Sequence, residues 1–261
     1  MLHKALLVVS DKFENFATRK DVITISTLYN LLNTDNLSFT SSTKIRLIPG
    51  QGFSTEIIKD VLYIAKNSKN SDHFDFSMWF NIPARASKEL THKHKDENIL
   101  ISDPQQSSLD TFSMFVLIDE QCEMMRDHQT GLHIQGVLLL EAARQGYLAI
   151  FEKFLSTKTQ GKKYFVFNSI DVNYNSFAFP LPAQLNVKVI GKDLNSKKKN
   201  ASMDMEIVQC GNISASFTLN MTIVEDRKIS IIEKKLADKT LNEHISNILI
   251  IDQKPAEAAY V

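Results

Sequence analysis

The chain has 261 residues, of which 43% are hydrophobic and 23% charged, a composition typical of a globular protein. Its 30 basic and 30 acidic side chains cancel, so no overall field would draw it to nucleic acid or to an anionic membrane surface. Two cysteines without a pairing pattern, Cys122 and Cys210, and an N-terminal apolar stretch too short for a signal peptide indicate a cytoplasmic protein.

The first 88 residues alternate strand and helix patterns. Short apolar runs predict buried strands, and apolar residues at helical spacing predict helices. In chain order these are a strand at 4–10, a helix at 21–33, a strand at 44–48, a helix at 54–66 and a strand at 74–82. Ser54 is the predicted N-cap of the second helix. This order predicts a small α/β unit with partly parallel strands at residues 1–88, for which the sequence suggests no role.

The turn Pro49-Gly50-Gln51-Gly52 precedes the second helix and has two interpretations. Helix N-termini present free N–H groups that can bind phosphate. However, the turn lacks both the full dinucleotide fingerprint and the lysine of a P-loop. We therefore favour a tight turn between strand and helix.

Residues 83–95 are largely polar and basic and predict a connection between two domains. His92 and His94 form an H-x-H pair that could supply two metal ligands if extended backbone held them on one face. Nothing nearby completes a set of three or four ligands. We therefore interpret the segment as a solvated basic linker and predict neither a metal nor another cofactor.

From residue 97 the pattern changes to strands around one helix. Strands are predicted at 98–102, 111–119, 164–174, 183–192, 201–210 and 213–224, with a turn at 104–108. Residues from Gly136 to about Leu155 have a helical pattern with almost no polar face, which is typical of a buried helix. This order predicts an α+β domain at 89–226, in which an antiparallel sheet wraps around one long central helix. Residues 227–261 are predicted to add a helix or a peripheral strand.

Three polar residues interrupt this apolar helix. Glu141, Arg144 and Gln145 stand at positions i, i+3 and i+4, so they share one face. Buried charges are costly unless they are paired or used in a site. Glu141 and Arg144 therefore either neutralise each other or belong to a functional site, and the sequence leaves both alternatives open.

The segment from Arg126 to Gln145, RDHQTGLHIQGVLLLEAARQ, carries a family resemblance. Its part from His133 onwards closely resembles the signature of the A-factor biosynthesis hotdog family and, more distantly, that of the hotdog β-hydroxyacyl-ACP dehydratases. Gln135 stands where both families usually have proline, and the loop before Gly136 is one residue longer than in the first family and one shorter than in the second. The resemblance implies a hotdog domain that uses acyl thioesters.

The same segment offers the groups that acyl-thioester chemistry needs. The helix N-terminus at Gly136 would stabilise the oxyanion of a thioester carbonyl, and glycine would let the substrate approach the backbone. The general base would be His128, with Asp127 as its orienting partner, or His133, which aligns better with the closer family. The resemblance implies that Glu141 is the second acid/base group.

Four residues of the helix are the predicted substrate-binding residues. Arg144 would hold a substrate phosphate or carboxylate, or would only neutralise Glu141. The others are Gly136, Val137 and Gln145.

The resemblance also implies a reaction. The family transfers a β-ketoacyl group from an acyl carrier thioester to a small phosphorylated three-carbon acceptor, in making butyrolactone-type signals. We therefore predict an acyltransferase that uses acyl-ACP or acyl-CoA. The alternatives are dehydration or hydrolysis of an acyl thioester, and non-catalytic acyl binding. The lysines at 197–199 predict a solvated hairpin tip, with docking of an acidic acyl carrier protein as the alternative.

Only one hotdog unit is evident, although the closer family often has two in tandem. A single sheet leaves strand edges exposed, and in hotdog enzymes the acyl channel commonly lies between two units, with histidine from one and glutamate from the other. We therefore predict a homodimer. The alternative is a monomer in which residues 1–88 cover the same surface.

Overall fold

The structure, a computed structural model, describes residues 5–34, 44–127, 131–156, 163–195 and 199–252, without the side chains of 226–227 and 249–252. Two sheets organise these residues, a parallel sheet of four strands and an antiparallel sheet of six strands after it. Within the described residues, no helix is both long enough and apolar enough to cross a membrane.

The parallel sheet has the strand order β2-β1-β3-β4 and packs with three helices in the described residues. The elements of this part are β1 (Ala5–Val9), β2 (Val22–Thr24), α1 (Ile25–Asn33), β3 (Ile45–Pro49), α2 (Thr55–Asn67), β4 (Phe74–Asp75) and α3 (Ser77–Phe80). Leu28 of α1 and Val61 of α2 share a buried core with Leu47 of β3. Ser54 caps α2 as predicted, since its Oγ accepts a hydrogen bond from Ile57 N at 3.1 Å. The predicted α/β character of this part is confirmed.

The strand predicted at residues 74–82 is wrong beyond Asp75. Pairing with β3 ends there, because the Asp75 carboxylate accepts a hydrogen bond from Ser77 N at 2.9 Å and the chain turns into α3. Arg46 of β3 holds the same carboxylate through its Nε at 3.1 Å. Trp79 is part of the apolar pattern that suggested a strand. Its side chain is buried, but the residue belongs to the short helix α3.

The antiparallel sheet has the order β5-β6-β8-β9-β10-β7 and wraps around a central helix. The elements of this part are α4 (Lys88–Thr91), β5 (Gln105–Ser108), β6 (Thr111–Val116), α5 (Glu123–Arg126), α6 (Gly136–Ile150) with a π-helical turn (Phe151–Leu155), β7 (Lys163–Tyr174), β8 (Ala183–Asp193), β9 (Lys199–Gln209) and β10 (Asn212–Glu225). Leu139 and Ala143 of α6 share one buried core with Leu185 and Met205 of the sheet. The predicted hotdog architecture is confirmed.

Two predictions next to β6 are wrong. Residues 98–102 make isolated bridges rather than a strand: Leu100 O accepts from Leu117 N and Ser102 N donates to Phe115 O, while a side chain of α6 takes two other backbone groups. Gln145 accepts a hydrogen bond from Leu100 N at 2.8 Å and donates one to Asn98 O at 2.8 Å. Residues 104–108, predicted as a turn, contain the edge strand β5. Its four residues are polar and exposed, so no alternation marks it in the sequence.

α7 (Asp226–Asp252) follows β10 directly and is a helix, one of the two predictions for the C-terminal residues.

The hairpin predicted between β8 and β9 is present. Lys192 at its base pairs with Asp110 at 2.7 Å, whereas Lys197 and Lys198 lie outside the described residues.

Gln51 joins the two sheets. Its buried side chain donates from Nε2 to Val116 O at 2.9 Å and to Leu181 O at 3.2 Å. Its Oε1 accepts a hydrogen bond from Ile118 N at 2.8 Å, and Gly52 N donates to Ile118 O at 3.0 Å. The polar groups of the Pro49–Gly52 turn are thus used within the protein, which supports the tight turn rather than a phosphate site.

Candidate active site

The polar face of α6 meets the segment after α4 at the Glu141 carboxylate. Arg144 donates from Nε at 2.7 Å and from Nη2 at 2.8 Å, and Lys93 Nζ lies 2.7 Å from Oε1. Gln145 Nε2 adds a further hydrogen bond at 3.0 Å. The Glu141 side chain is only 12% exposed. The ion pair with Arg144 that the sequence left open is therefore present, and Lys93 makes it a triad.

These contacts keep Glu141 ionised. Burial alone would raise the pKa of its carboxyl group, but the hydrogen bonds and positive charge of Arg144, with hydrogen bonds from Lys93 and Gln145, lower the pKa to about 2. Glu141 is then a carboxylate at neutral pH and has no proton to donate. Its position holds Arg144 and Lys93 side by side.

Arg144 and Lys93 line a cavity of about 870 Å³ between α4, α6 and the start of β7. Arg144, Leu148 and Glu152 follow one another at four-residue intervals, so one face of the helix forms a wall. The ionisable lining residues are Lys88, Glu89, His92, Lys93, His94, Arg144, Glu152 and Lys163. Four of these are lysine or arginine, and each is paired with a carboxylate: Lys88 with Asp96, Lys163 with Glu152, and Lys93 and Arg144 with Glu141. Because Lys93 and Arg144 share one carboxylate, an anionic group would bind most favourably beside these two.

His92 faces Glu152 in this cavity. Its Nε2 lies 3.3 Å from Glu152 Oε1, and its ring stands edge-on to Phe165 with centroids 5.4 Å apart. The His92 backbone is left-handed, with φ of 55°, a conformation that costs a non-glycine residue about 1–3 kcal/mol. The linker predicted at 83–95 is therefore wrong in this part: the segment packs against α6 because Lys93 and His92 find acidic partners there.

Glu152 is shared between His92 and Lys163, whose Nζ lies 3.3 Å from Oε2. Burial raises the pKa of the Glu152 carboxyl group, but the hydrogen bond with His92 and the charge of Lys163 outweigh burial and lower it. The cavity thus contains a fixed carboxylate among several donors.

Among the described residues, no group of three or more His, Cys, Asp or Glu side chains is arranged to hold a metal ion.

The N-terminus of α6 is covered by Tyr174. The Tyr174 Oη donates to Gly136 O at 3.0 Å, and a Cβ atom at Gly136 would lie 2.8 Å from the Tyr174 ring. The close approach that glycine permits is therefore made by an aromatic ring of β7, not by a substrate as the sequence suggested. Val137, the next residue on the helix, is half-exposed.

Gln135, directly before α6, has a buried side chain without hydrogen bonds. The residue is 6% exposed, yet neither its Oε1 nor its Nε2 has a partner in the part of the chain that the structure describes. Buried amide atoms without partners are rare and costly. The sequence contains a signal for this residue, since glutamine stands where the resembled families have proline, although Gln135 is not among the predicted site residues.

The remaining predicted site residues divide into three groups. His133 is exposed, with its ring 4.9 Å from that of Phe177, and Asp127 is the exposed C-cap of α5. His128 lies outside the described residues. Gln145 is fully buried behind Glu141, so the structure gives it a positioning role rather than a contact with substrate.

Comparisons with known proteins agree with this fold. The family model described as "A-factor biosynthesis hotdog domain" matches residues 80–225. None of the curated proteins matches the chain.

Solved hotdog thioesterases resemble the chain at low identity. A mutant thioesterase from Pseudomonas aeruginosa has 15% identity and a TM-score of 0.36, covering 67% of this chain and 98% of that one. A putative thioesterase from Shewanella oneidensis has 10% identity and a TM-score of 0.35, covering 52% and 87%. One from Lactococcus lactis has 15% identity and a TM-score of 0.37, covering 48% and 94%. At these TM-scores the likeness carries no argument about the reaction.

Proposed function

Because the chain belongs to the A-factor biosynthesis hotdog domain family, we propose that it transfers a β-ketoacyl group from an acyl-ACP or acyl-CoA thioester to a small hydroxylated acceptor that carries a phosphate. The observation that supports this proposal best is the cationic cavity beside Glu141. Arg144 and Lys93 present N–H donors at its wall, and guanidinium and ammonium groups are the usual partners of phosphate.

The two halves of the proposed site lie apart in one chain. Gly136 and Arg144 are eight residues apart on α6, which at 1.5 Å per residue is about 12 Å. The helix N-terminus, with Gln135 and His133, is thus at one end, and the cavity at Arg144 lies beside the other half. A second copy of the chain would close this gap.

The edge strand β7 supports a dimer. It has twelve residues, is at the end of the sheet, and exposes several large apolar side chains to solvent. These are Tyr164, Val166, Phe167, Ile170 and Tyr174. A long apolar edge strand is an aggregation liability unless another strand covers it. We therefore propose that β7 pairs with β7 of a second copy in an antiparallel manner, as a two-fold axis requires.

Pairing through β7 would bring the start of α6 in one copy close to the end of α6 in the other. Tyr174, at the end of β7, contacts Gly136 at the start of α6, whereas Phe165, at the start of β7, packs near the end of α6. α6 and β7 therefore run in opposite directions. A two-fold axis through β7 would set the α6 N-terminus of one copy beside the cationic cavity of the other.

The proposed step uses groups from both copies. The acceptor hydroxyl attacks the thioester carbonyl while His128, or His133, takes its proton; the C–S bond then breaks and the thiolate leaves with that proton. N–H groups at the start of α6 would stabilise the carbonyl oxyanion, which requires the Tyr174 ring to move away from Gly136. Arg144 and Lys93 would hold the acceptor phosphate, and Glu141 would hold these two cations in place.

Thiol release from a β-ketoacyl thioester tests the proposal. We expect release that depends on dihydroxyacetone phosphate and is weak with dihydroxyacetone, which lacks the phosphate. Arg144→Met should raise the KM for the phosphorylated acceptor, whereas Lys192→Met, in the distant β8–β9 hairpin, should not. Release without acceptor would mean hydrolysis, thioester loss without thiol release would mean dehydration, and binding without turnover would mean a non-catalytic protein. Each of these would contradict the proposed transfer.

A further inference from the structure

A second cavity, of about 500 Å³, lies between the two sheets and outside the candidate active site. One side is formed by the turn after β3, the first part of α2, and α3. The other side is formed by the end of β6 and the start of β8. Small-molecule sites commonly have volumes of about 300–1,000 Å³, so this cavity has room for a ligand.

The cavity has an apolar interior. Phe53, Ile58, Met78 and Phe115 supply much of its surface. Met78 and Phe115 are 39% and 47% exposed, so large apolar side chains face open space here. The polar lining side chains Gln51, Asn81 and Arg85 are already hydrogen-bonded within the protein, so an apolar chain would gain most from this surface.

The charge at the cavity comes from Lys59. It is exposed on α2 and forms no ion pair within the described part of the chain, and no glutamate or aspartate is among the residues that line the cavity. Arg85 also reaches the lining, but its guanidinium is already used: it donates to the carbonyl oxygens of Phe53 and Leu117 and pairs with Asp119 at 3.8 Å.

We propose that this cavity binds an amphiphilic carboxylate with one apolar chain of medium length. The chain lies between the two sheets and the carboxylate lies at Lys59. A neutral apolar molecule would not use the lysine, and a protein segment would need a groove that is open along its length. Because both sheets supply walls, the bound molecule links them and stabilises the whole chain against unfolding.

Calorimetry with decanoate tests this site. We expect saturable binding of one molecule per chain. Octanoate, which has two fewer methylene groups, should bind about tenfold more weakly. Decan-1-ol, which lacks the charge, should bind about fivefold more weakly than decanoate, as expected for one exposed ion pair. The assay needs no acyl transfer, so its outcome does not depend on the proposed function.

Variants distinguish the cavity from general hydrophobic binding. Lys59→Met should weaken decanoate about fivefold and leave decan-1-ol unchanged, whereas Lys66→Met, seven residues further along α2 and outside the cavity, should bind as the wild type does. Ala84→Trp should block binding, and the fold should tolerate it because Ala84 is exposed at the cavity. The proposal is overturned if decanoate does not saturate, if folded Ala84→Trp still binds it, or if decan-1-ol binds as tightly.

Discussion

Lys93 Nζ lies 2.7 Å from Glu141 Oε1, and this contact joins the segment after α4 to the central helix. Arg144 holds the other carboxylate oxygen at 2.7 Å. Two cations are thus held next to each other by one carboxylate, at the wall of a cavity whose other lysines and glutamates are equal in number. This arrangement can bind an anionic group without having to bring the two cations together first.

The depressed pKa of Glu141 predicts a specific dependence of stability on pH. The folded pKa of about 2 lies below the ordinary value of 4.5, so its contribution is fully present above about pH 4.5 and is lost as the pH falls through 2. At neutral pH this contribution is about 3 kcal/mol. Glu141→Gln should therefore be less stable than the wild type at pH 6, and the difference should narrow by about 1 kcal/mol at pH 3.5.

Urea unfolding of both proteins at the two pH values measures this difference. Other carboxylates titrate alike in the two proteins and cancel in the comparison. If the difference in unfolding free energy is the same at pH 6 and at pH 3.5, the contacts with Arg144 and Lys93 do not lower the pKa of Glu141.

Gln135 predicts a trade-off between stability and activity. Gln135→Met removes a buried amide that has no partner in the described residues, so we expect the free energy of unfolding to rise by about 1 kcal/mol while turnover falls. Gln145→Met is the matched control, because that amide is fully bonded, and it should lose about 2 kcal/mol. Unfolding and thiol-release assays on the same samples check both. A Gln135→Met chain that is more stable and fully active would remove Gln135 from the site.

The fold was predictable where one face of an element is buried along its length. In β10 the apolar residues alternate strictly with polar ones, and α6 is apolar almost all round, so both were located from the sequence. Residues 98–102 were misassigned in part because Leu100 N and Asn98 O bond to Gln145, a side chain more than forty residues away, instead of to a neighbouring strand. No local pattern encodes such a partner.

The site was predictable only in part, for the same reason. The spacing of Glu141 and Arg144 indicated an ion pair, because both residues lie on one helix face. Lys93 and His92 were assigned to a linker, since their partners Glu141 and Glu152 lie far along the chain. Local sequence patterns thus predicted the helix that carries Glu141 and Arg144, but not the segment with His92 and Lys93 that packs against it.

Alanine substitutions test the proposed roles of His128 and His133. We expect His128→Ala to lower kcat about a thousandfold with little effect on folding, as loss of a general base does. We expect His133→Ala to have a smaller effect, because its exposed ring packs against Phe177 at a tilted angle. Single-turnover rates for each variant decide between them, with circular dichroism as the control for folding. Normal rates in His128→Ala together with loss in His133→Ala would reverse the assignment.

The exposed edge strand β7 predicts that one added charge can break the proposed dimer. Ile170 is 42% exposed on β7, and a lysine there would oppose pairing between strand edges. We expect Ile170→Lys to be a folded monomer with little activity. Ile190→Lys is the control, since Ile190 is 49% exposed but belongs to β8 inside the sheet. Light scattering at micromolar concentration measures the mass, and equal mass for wild type and Ile170→Lys would contradict pairing through β7.

Mixing two inactive chains tests the shared site most directly. If one copy supplies the histidine loop and the other supplies Glu141 with its cations, a mixture of His128→Ala and Glu141→Gln chains forms dimers with one intact site. Unfolding and refolding the two chains together at equal concentration should then restore up to about a quarter of wild-type thiol release, since half of the dimers are mixed and each has one of two sites. Refolding each chain alone should restore none. If the mixture stays as inactive as its components while wild type survives the same treatment, the site is not shared between copies.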